Sequence, residues 1–308
     1  MLNAFLISLL VAGFAALPIL NLLVKLKSRQ TINQYAPEGH QVKQGTPTMG
    51  GLIILTGFFA AVIYMLVSNP AYAQTFLVPQ YAILAIGFAL VGFLDDYVVP
   101  KLMTGKRGLG WKQKLLMELL FCAPMALWGG GHGALQAGLL VFTVLFFSNA
   151  YNFSDGLDGL AGSLLLCICL GLYFLVPDAR WAVLAMVGGA IPFLFLNAPP
   201  ARVFMGDVGA LPIGAVLGAV VFQGLSKAPD QAHLNALALL SLVMVVELVP
   251  VPLQIASVKL RGKRLFPYTP VHHSFEKAGW PESRVVWTFV LSQLVLTLLA
   301  LCLIGAGT

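Results

Sequence analysis

YAILAIGFALVGFLDDY, residues 81–97, runs without a charge from Tyr81 to Leu94 and then sets two carboxylates side by side, Asp95 and Asp96. A continuous apolar stretch of this length is a helix able to cross most of a bilayer's hydrocarbon layer. A carboxyl pair at its end is costly beside lipid and marks a functional position. Similar stretches recur along the whole chain, which has 308 residues, 59% hydrophobic and 10% charged. An ordinary globular domain carries about 25% charged residues. The runs are helix-length and lack the alternation of a barrel strand. The chain therefore reads as an all-α integral membrane protein, one polytopic domain over residues 1–308.

Apolar windows predict about ten transmembrane helices, at 3–24, 49–67, 81–97, 115–128, 136–151, 160–176, 181–197, 209–224, 234–258 and 286–305. Pro250 and Pro252 fall inside the ninth. A proline within a helix removes a backbone bond, so this helix is expected to be kinked or broken. The first apolar stretch is followed by Lys25, Lys27 and Arg29 and preceded by no charge. A cleaved signal has the opposite order, so this stretch is expected to stay as the first helix with the N-terminus outside. Ten crossings then put the C-terminus outside too. Sixteen of the eighteen lysines and arginines fall on the cytosolic side, with Arg180 and Lys227 the exceptions. This bias was not used to choose the spans, so it tests them independently. It also accounts for the net charge of +6 without a nucleic-acid partner. Cys122, Cys167, Cys169 and Cys302 all lie in apolar runs without a CxxC pair, and are expected to be buried, inert thiols.

The same topology brings five acids to the cytosolic interface: Asp95, Asp96, Asp155, Asp158 and Asp207. Adjacent carboxylates repel unless a cation or hydrogen bonds compensate, so the Asp95–Asp96 pair reads either as a solvated interfacial pair or as part of a phosphate–metal site. In Asn149-Ala-Tyr-Asn152-Phe-Ser-Asp155-Gly-Leu-Asp158-Gly, polar residues recur every third position. On a helix, Asn152, Asp155 and Asp158 would share one broad face, with Asn149 to its far side. Loops seldom space such residues so regularly. In Val203-Phe204-Met205-Gly206-Asp207, Asp207 is an N-cap or a ligand, and Phe204 could stack on a ring. Gly45-Thr46-Pro47-Thr48-Met49-Gly50-Gly51 opens the second helix as a turn and cap, or as an anion seat beside Lys43. His272 and His273 stand in the last cytosolic loop, solvated or able to donate to phosphate oxygens. Glu118 and Glu247, lone charges within apolar runs, read as pairing inside the bundle.

Taken together, HQVKQGTPTMGG (40–51), GFLDDY (92–97), NAYNFSDGLDGLAG (149–162), VFMGDVGAL (203–211), KLRGKRLF (259–266) and PVHHSFEKAGWPE (270–282) resemble the polyprenyl-phosphate N-acetylhexosamine-1-phosphate transferase superfamily. Within it they are most similar to the phospho-N-acetylmuramoyl-pentapeptide transferases. The resemblance spans most of the chain in the family's order. It implies ten transmembrane helices with a broken ninth, frequent dimerisation, and a cytosolic active site in the bacterial inner membrane. It implies that undecaprenyl phosphate attacks the β-phosphate of UDP-MurNAc-pentapeptide, releasing UMP and leaving lipid I for peptidoglycan synthesis, with Mg²⁺ required. By matched position, Asp207 is the magnesium ligand, and Asp95 and Asp96 are the acidic pair, with Asp95 deprotonating the lipid phosphate. His272 and His273 join them as catalytic candidates. Lys43, Thr48, Lys114, Asn149, Asn152, Asp155, Asp158, Phe204 and Gln254 are substrate-binding candidates. The chain departs from the family pattern at Ser274, where a third histidine is common, and at Val99, where a lysine is common. Direct displacement needs only alignment and charge neutralisation, which favours it over a covalent aspartyl step. The main alternative is the same chemistry on UDP-GlcNAc. An ion-coupled transporter ranks last, because it would place its ionisable groups near the midplane.

Overall fold

The structure, a computed structural model, describes residues 1–26, 45–68, 77–103, 108–128 and 133–305. Among the described residues it is all helix, with no β-strand. Apolar segments in lipid must satisfy their backbone groups internally, and helices do so within one segment. In chain order they are α1 (Leu2–Lys25), α2 (Leu52–Ser68), α3 (Leu77–Phe93), α4 (Trp111–Trp128), α5 (Ala134–Ser154), α6 (Leu160–Leu175) and α7 (Arg180–Asn197). There follow α8 (Asp207–Ser226), α9 (Gln231–Leu240), α10 (Leu242–Leu248), α11 (Pro250–Arg261), α12 (Val271–Lys277) and α13 (Glu282–Gly305). Seven helical stretches are long and apolar enough to cross a membrane, and α2 and α6 are apolar but shorter. The chain is thus a multi-pass membrane protein. Large apolar side chains face outward around the bundle, among them Phe14, Leu135 and Phe195.

The helix α8 is the axis of the fold. Every residue from Val208 to Gly224 is buried. Gly214 and Gly218, four apart and hence on one face, lie against the α5 backbone. A Cβ at Gly214 would sit 2.5 Å from the Phe147 carbonyl oxygen, and one at Gly218 would meet the Thr143 carbonyl. Without a hydrophobic drive between helices in lipid, such backbone-to-backbone packing is a main source of association. Ser148 adds a hydrogen bond, its hydroxyl donating to the Leu211 carbonyl at 3.0 Å. On another side of α8, Tyr81 donates to Gln223 Oε1 at 2.5 Å, while Gly92 abuts Asp207. Both neighbours are therefore antiparallel to α8, and the ends of α3 and α5 converge on its first residue.

Three sequence expectations change. Asp95 and Asp96 do not end their helix: α3 passes into a π-helical turn, Leu94–Val98, and a last turn, Val99–Leu102. The Val99 amide donates to the Leu94 carbonyl, five residues back. Pro100 supplies a reason, since in an α-helix its ring would strike the carbonyl of Asp96. The ninth run breaks twice rather than once. Besides the break before Pro250, Ser241 interrupts it, with its hydroxyl donating to the Leu237 carbonyl at 2.7 Å. Gln293 of α13 donates to the Leu240 carbonyl at 3.1 Å, beside that break. Of the four free cysteines, Cys302 is exposed on the outside of the bundle and Cys167 is half-buried.

Candidate active site

Glycine conformation starts the site. Gly206 has φ 71° and ψ 168°, backbone that side chains other than glycine's rarely adopt. A Cβ there would also sit 2.5 Å from both Asp96 Oδ2 and Thr48 Oγ1. This turn delivers Asp207 as the first residue of α8. The Val208 amide, in the same first turn, donates to Asp96 Oδ2 at 3.1 Å, so the positive end of α8 holds Asp96 in place. Asp95 Oδ1 accepts from the Leu109 amide at 2.7 Å. In the π turn successive side chains diverge by less than the ~100° of an α-helix, which helps both acids of the pair turn toward α8.

One carboxylate oxygen from each of Asp95, Asp96 and Asp207 lies within 4.8 Å of the other two. Asp207 Oδ1 accepts from Asn152 Nδ2 at 2.7 Å, and Oδ2 is ion-paired with the Lys114 ammonium. Three carboxylates and one ammonium leave a formal charge of about −2, with hard oxygen donors. That donor set fits a divalent cation of the magnesium type.

Around this centre the remaining sequence candidates divide. Asp155 follows α5 and accepts from the Gly206 amide at 3.1 Å. Burial and the neighbouring Asp207 charge push its carboxyl well above the usual carboxylate range. Thr48 is buried beside Gly206. Phe204, half-buried, is bonded through its backbone to the 47–50 turn: it donates to Pro47 O at 2.9 Å and accepts from Gly50 N at 2.7 Å. Lys43 lies outside the described residues.

Others are turned elsewhere. Asn149 faces Glu118, donating to its Oε2 at 2.7 Å and to the Leu145 carbonyl at 3.0 Å. Asp158 accepts from the Ala201 amide at 2.9 Å, and its own amide donates to Glu282 Oε1 at 2.8 Å. Gln254 spends its carboxamide on the chain at 265–266, its Oε1 accepting from the Leu265 and Phe266 amides at 2.8 and 3.0 Å. His272 is fully buried, with Nδ1 2.6 Å from Glu247 Oε2. A Cβ at Gly156 would lie 2.5 Å from His272 Nε2, so this histidine backs the Asp155–Asp158 turn. His273, its ring 4.1 Å from that of His272, meets Glu276 Oε2 through Nδ1 at 2.6 Å. Ser274, in the place of the missing histidine, closes a loop by donating to the Tyr268 carbonyl at 2.6 Å. A cleft of about 690 Å³ beside Gln254 is lined by Lys259, Arg264, Lys277 and Tyr268.

Sequence reasoning did not assign partners to Glu118, Glu247 or Glu282. The Glu118–Asn149 pairing spans 31 residues, and the local spacing of Glu118 points instead to Lys114, one turn before it on the same helical face. The other two pairings span 25 residues and 124 residues, and no local pattern encodes them.

The sequence matches known proteins over most of its length. Residues 78–225 match the glycosyl transferase family 4 model, and residues 43–55 match phospho-N-acetylmuramoyl-pentapeptide-transferase signature 1. The chain is 36% identical to the phospho-N-acetylmuramoyl-pentapeptide-transferase of Heliobacterium modesticaldum, over 91% of this chain and 90% of that protein. It is 34% identical to the enzyme of the same name from Moorella thermoacetica, over 93% of each. With that of Clostridium perfringens the identity is 35%, over 96% of each. The acids that meet at the start of α8 are thus carried on a chain that belongs to the phospho-N-acetylmuramoyl-pentapeptide-transferase family.

Proposed function

We propose that this protein transfers phospho-MurNAc-pentapeptide from UDP-MurNAc-pentapeptide to undecaprenyl phosphate, forming lipid I and releasing UMP. The observation that carries this reading is the convergence of Asp95, Asp96, Asp207, Lys114 and Asn152 at one end of the bundle, in a chain of this family. A phosphate oxygen of the prenyl carrier attacks the donor's β-phosphorus. The bond from that phosphorus to the bridging oxygen breaks, and UMP leaves with that oxygen.

The residues divide the work. Asp207, with Asp95 and Asp96, would hold Mg²⁺. The bound ion supplies charge neutralisation for the diphosphate. Asp95 has one oxygen tied to Leu109 and takes the proton of the lipid phosphate with the other. Asn152 keeps Asp207 oriented, and Asp155 fixes the Gly206 turn. Phe204 offers a ring face to the uracil, and Thr48 borders the phosphates. Asn149 and Gln254 act as braces, because Glu118 and the 265–266 backbone engage their carboxamides, while Glu247 holds the His272 ring through Nδ1. Lys259, Arg264 and Lys277 in the adjoining cleft attract the anionic end of the donor's peptide.

The protein crosses the bacterial inner membrane ten times, with α2, α4 and α6 as short spans and the site on the cytosolic face. The sixteen-to-two distribution of lysine and arginine supports that orientation.

Purified protein in detergent tests the assignment. UMP release is expected with UDP-MurNAc-pentapeptide, only when undecaprenyl phosphate and magnesium are present. Release with UDP-GlcNAc instead would give the chain the other donor. Release of neither product would end the transferase reading.

A further inference from the structure

Glu118 lies in the middle of α4 with no exposure to solvent. Its Oε2 is held by Asn149, and its Oε1 has no hydrogen-bond partner among the described residues. A carboxyl oxygen left bare in the interior is costly, so its persistence calls for a partner in some other state of the protein.

Two helices point to that partner. Lys114 is one turn before Glu118 on the same face of α4, and helical side chains lean back toward the preceding turn. The Glu118 carboxyl therefore leans toward the root of the Lys114 side chain. On α5, Asn149 is one turn from Asn152, which holds Asp207. The pairs Lys114–Asp207, Asn149–Glu118 and Asn152–Asp207 thus tie α4, α5 and α8 together around these five residues. At present Lys114 occupies an Asp207 oxygen. A cation bound by the same carboxylate would face that ammonium at close range, and like charges repel.

We propose that Glu118 is the second seat of Lys114: when a divalent cation occupies the Asp95–Asp96–Asp207 cluster, the ammonium leaves Asp207 and pairs with the free Oε1 of Glu118. This rests on the cation reading of the cluster given above. Glu118 is then a positioning residue. It keeps a buried lysine neutralised near the reacting phosphates while freeing the carboxylate that the lysine guards.

Mn²⁺ binding to the full-length protein in detergent, read from loss of the free-ion electron paramagnetic resonance signal, tests this without turnover. Glu118→Gln preserves shape and removes the charge. It is expected to weaken Mn²⁺ binding about tenfold, the scale of one charge-assisted hydrogen bond, and Glu118→Asp to recover part of the loss. In a Lys114→Met background there is no ammonium to reseat, so Glu118→Gln should then change Mn²⁺ affinity by less than about twofold. A full loss persisting in that background would mean that Glu118 acts by plain attraction, and would overturn the proposal. So would wild-type affinity in Glu118→Gln. Size-exclusion profiles and thermal unfolding separate either outcome from misfolding. If Asp207→Asn binds Mn²⁺ as well as the wild type does, the cation reading itself fails and takes this inference with it. If Asp207→Asn loses binding and Glu118→Gln does not, only the reseating falls.

Discussion

Both ends of α8 carry a lysine–aspartate pair, and the two sit in different media. Lys114–Asp207 lies at its first residue, with side chains 16% and 20% exposed. Lys227–Asp178 lies just past its last, with side chains 61% and 55% exposed. Each charge suits the helix dipole, the acid at the amino end and the base at the carboxyl end. The outer pair is screened by water and holds little together. The inner pair stands beside two further carboxylates, so removing either member leaves charge that the interior cannot relax. The same chemical pair is an ornament at one end of the helix and a chargeable centre at the other, and burial makes the difference.

The largest expected contrast is in turnover. Asp207→Asn should lower UMP release by about 10³-fold, as loss of a preorganised transition-state charge does, while Asp178→Asn should stay within about twofold. Equal losses at the two ends would erase the distinction. Spacing comes next. A Cβ at Gly92 would collide with the backbone of Asp207, whereas one at Gly224 would meet only the tips of Val176 and Leu237, at 2.9 and 3.1 Å. Gly92→Ala should cost on the order of 10² in rate through misplacement of the acids. Gly224→Ala should be nearly silent in the same assay.

Stability without metal sharpens the comparison further. In EDTA, Lys114→Met should lose about 2 kcal/mol by thermal or denaturant unfolding, between the limits for buried and exposed pairs. Lys227→Met should lose less than about 1 kcal/mol. Added magnesium should narrow the first deficit and leave the second unchanged. The smallest effect concerns Asp155, whose carboxyl is held well above its ordinary 3.8 by burial and by Asp207. A raised folded-state value means that the wild type loses stability as pH rises from about 4 through that value. Asp155→Asn escapes the loss and can still accept from Gly206. Its Tm in EDTA should exceed wild type at pH 8, and the gap should close near pH 4. A gap of the opposite sign would mean that Asp155 is stabilised as an anion.

How much of this was legible beforehand depended on the range of the interaction. Apolar windows located the helices because lipid imposes a condition that each segment meets alone. Pro250 announced one break in the ninth run for the same local reason. The break at Ser241 was not announced, since serine is compatible with a helix and Gln293 reaches Leu240 from 53 residues away. Pro100 did announce the π turn to anyone weighing its clash with residue 96, yet the windows stopped at Tyr97. Regular spacing put Asn152, Asp155 and Asp158 on one helical face with Asn149 to its far side; Asn149 and Asn152 do diverge on α5, but the helix ends at Ser154 and both aspartates stand in the turn that follows. The motif wording put Gln254 and His272 around a ligand, and could not tell that the chain at 265–266 engages the Gln254 carboxamide or that Glu247 holds His272 by Nδ1. Motifs name residues that must be present. Only packing says which atom each one touches.

The complete burial of α8 from Val208 to Gly224 has a mechanical side. Exposed apolar side chains lie on α1, α3 and α13 and on none of the stretch of helix whose tip holds Asp207. Changes in bilayer thickness or tension are taken up by tilting of the outer helices before they reach the innermost one. The acid at its tip therefore keeps its aim whatever the surrounding membrane is made of, and a carrier lipid arriving from the side meets a fixed target.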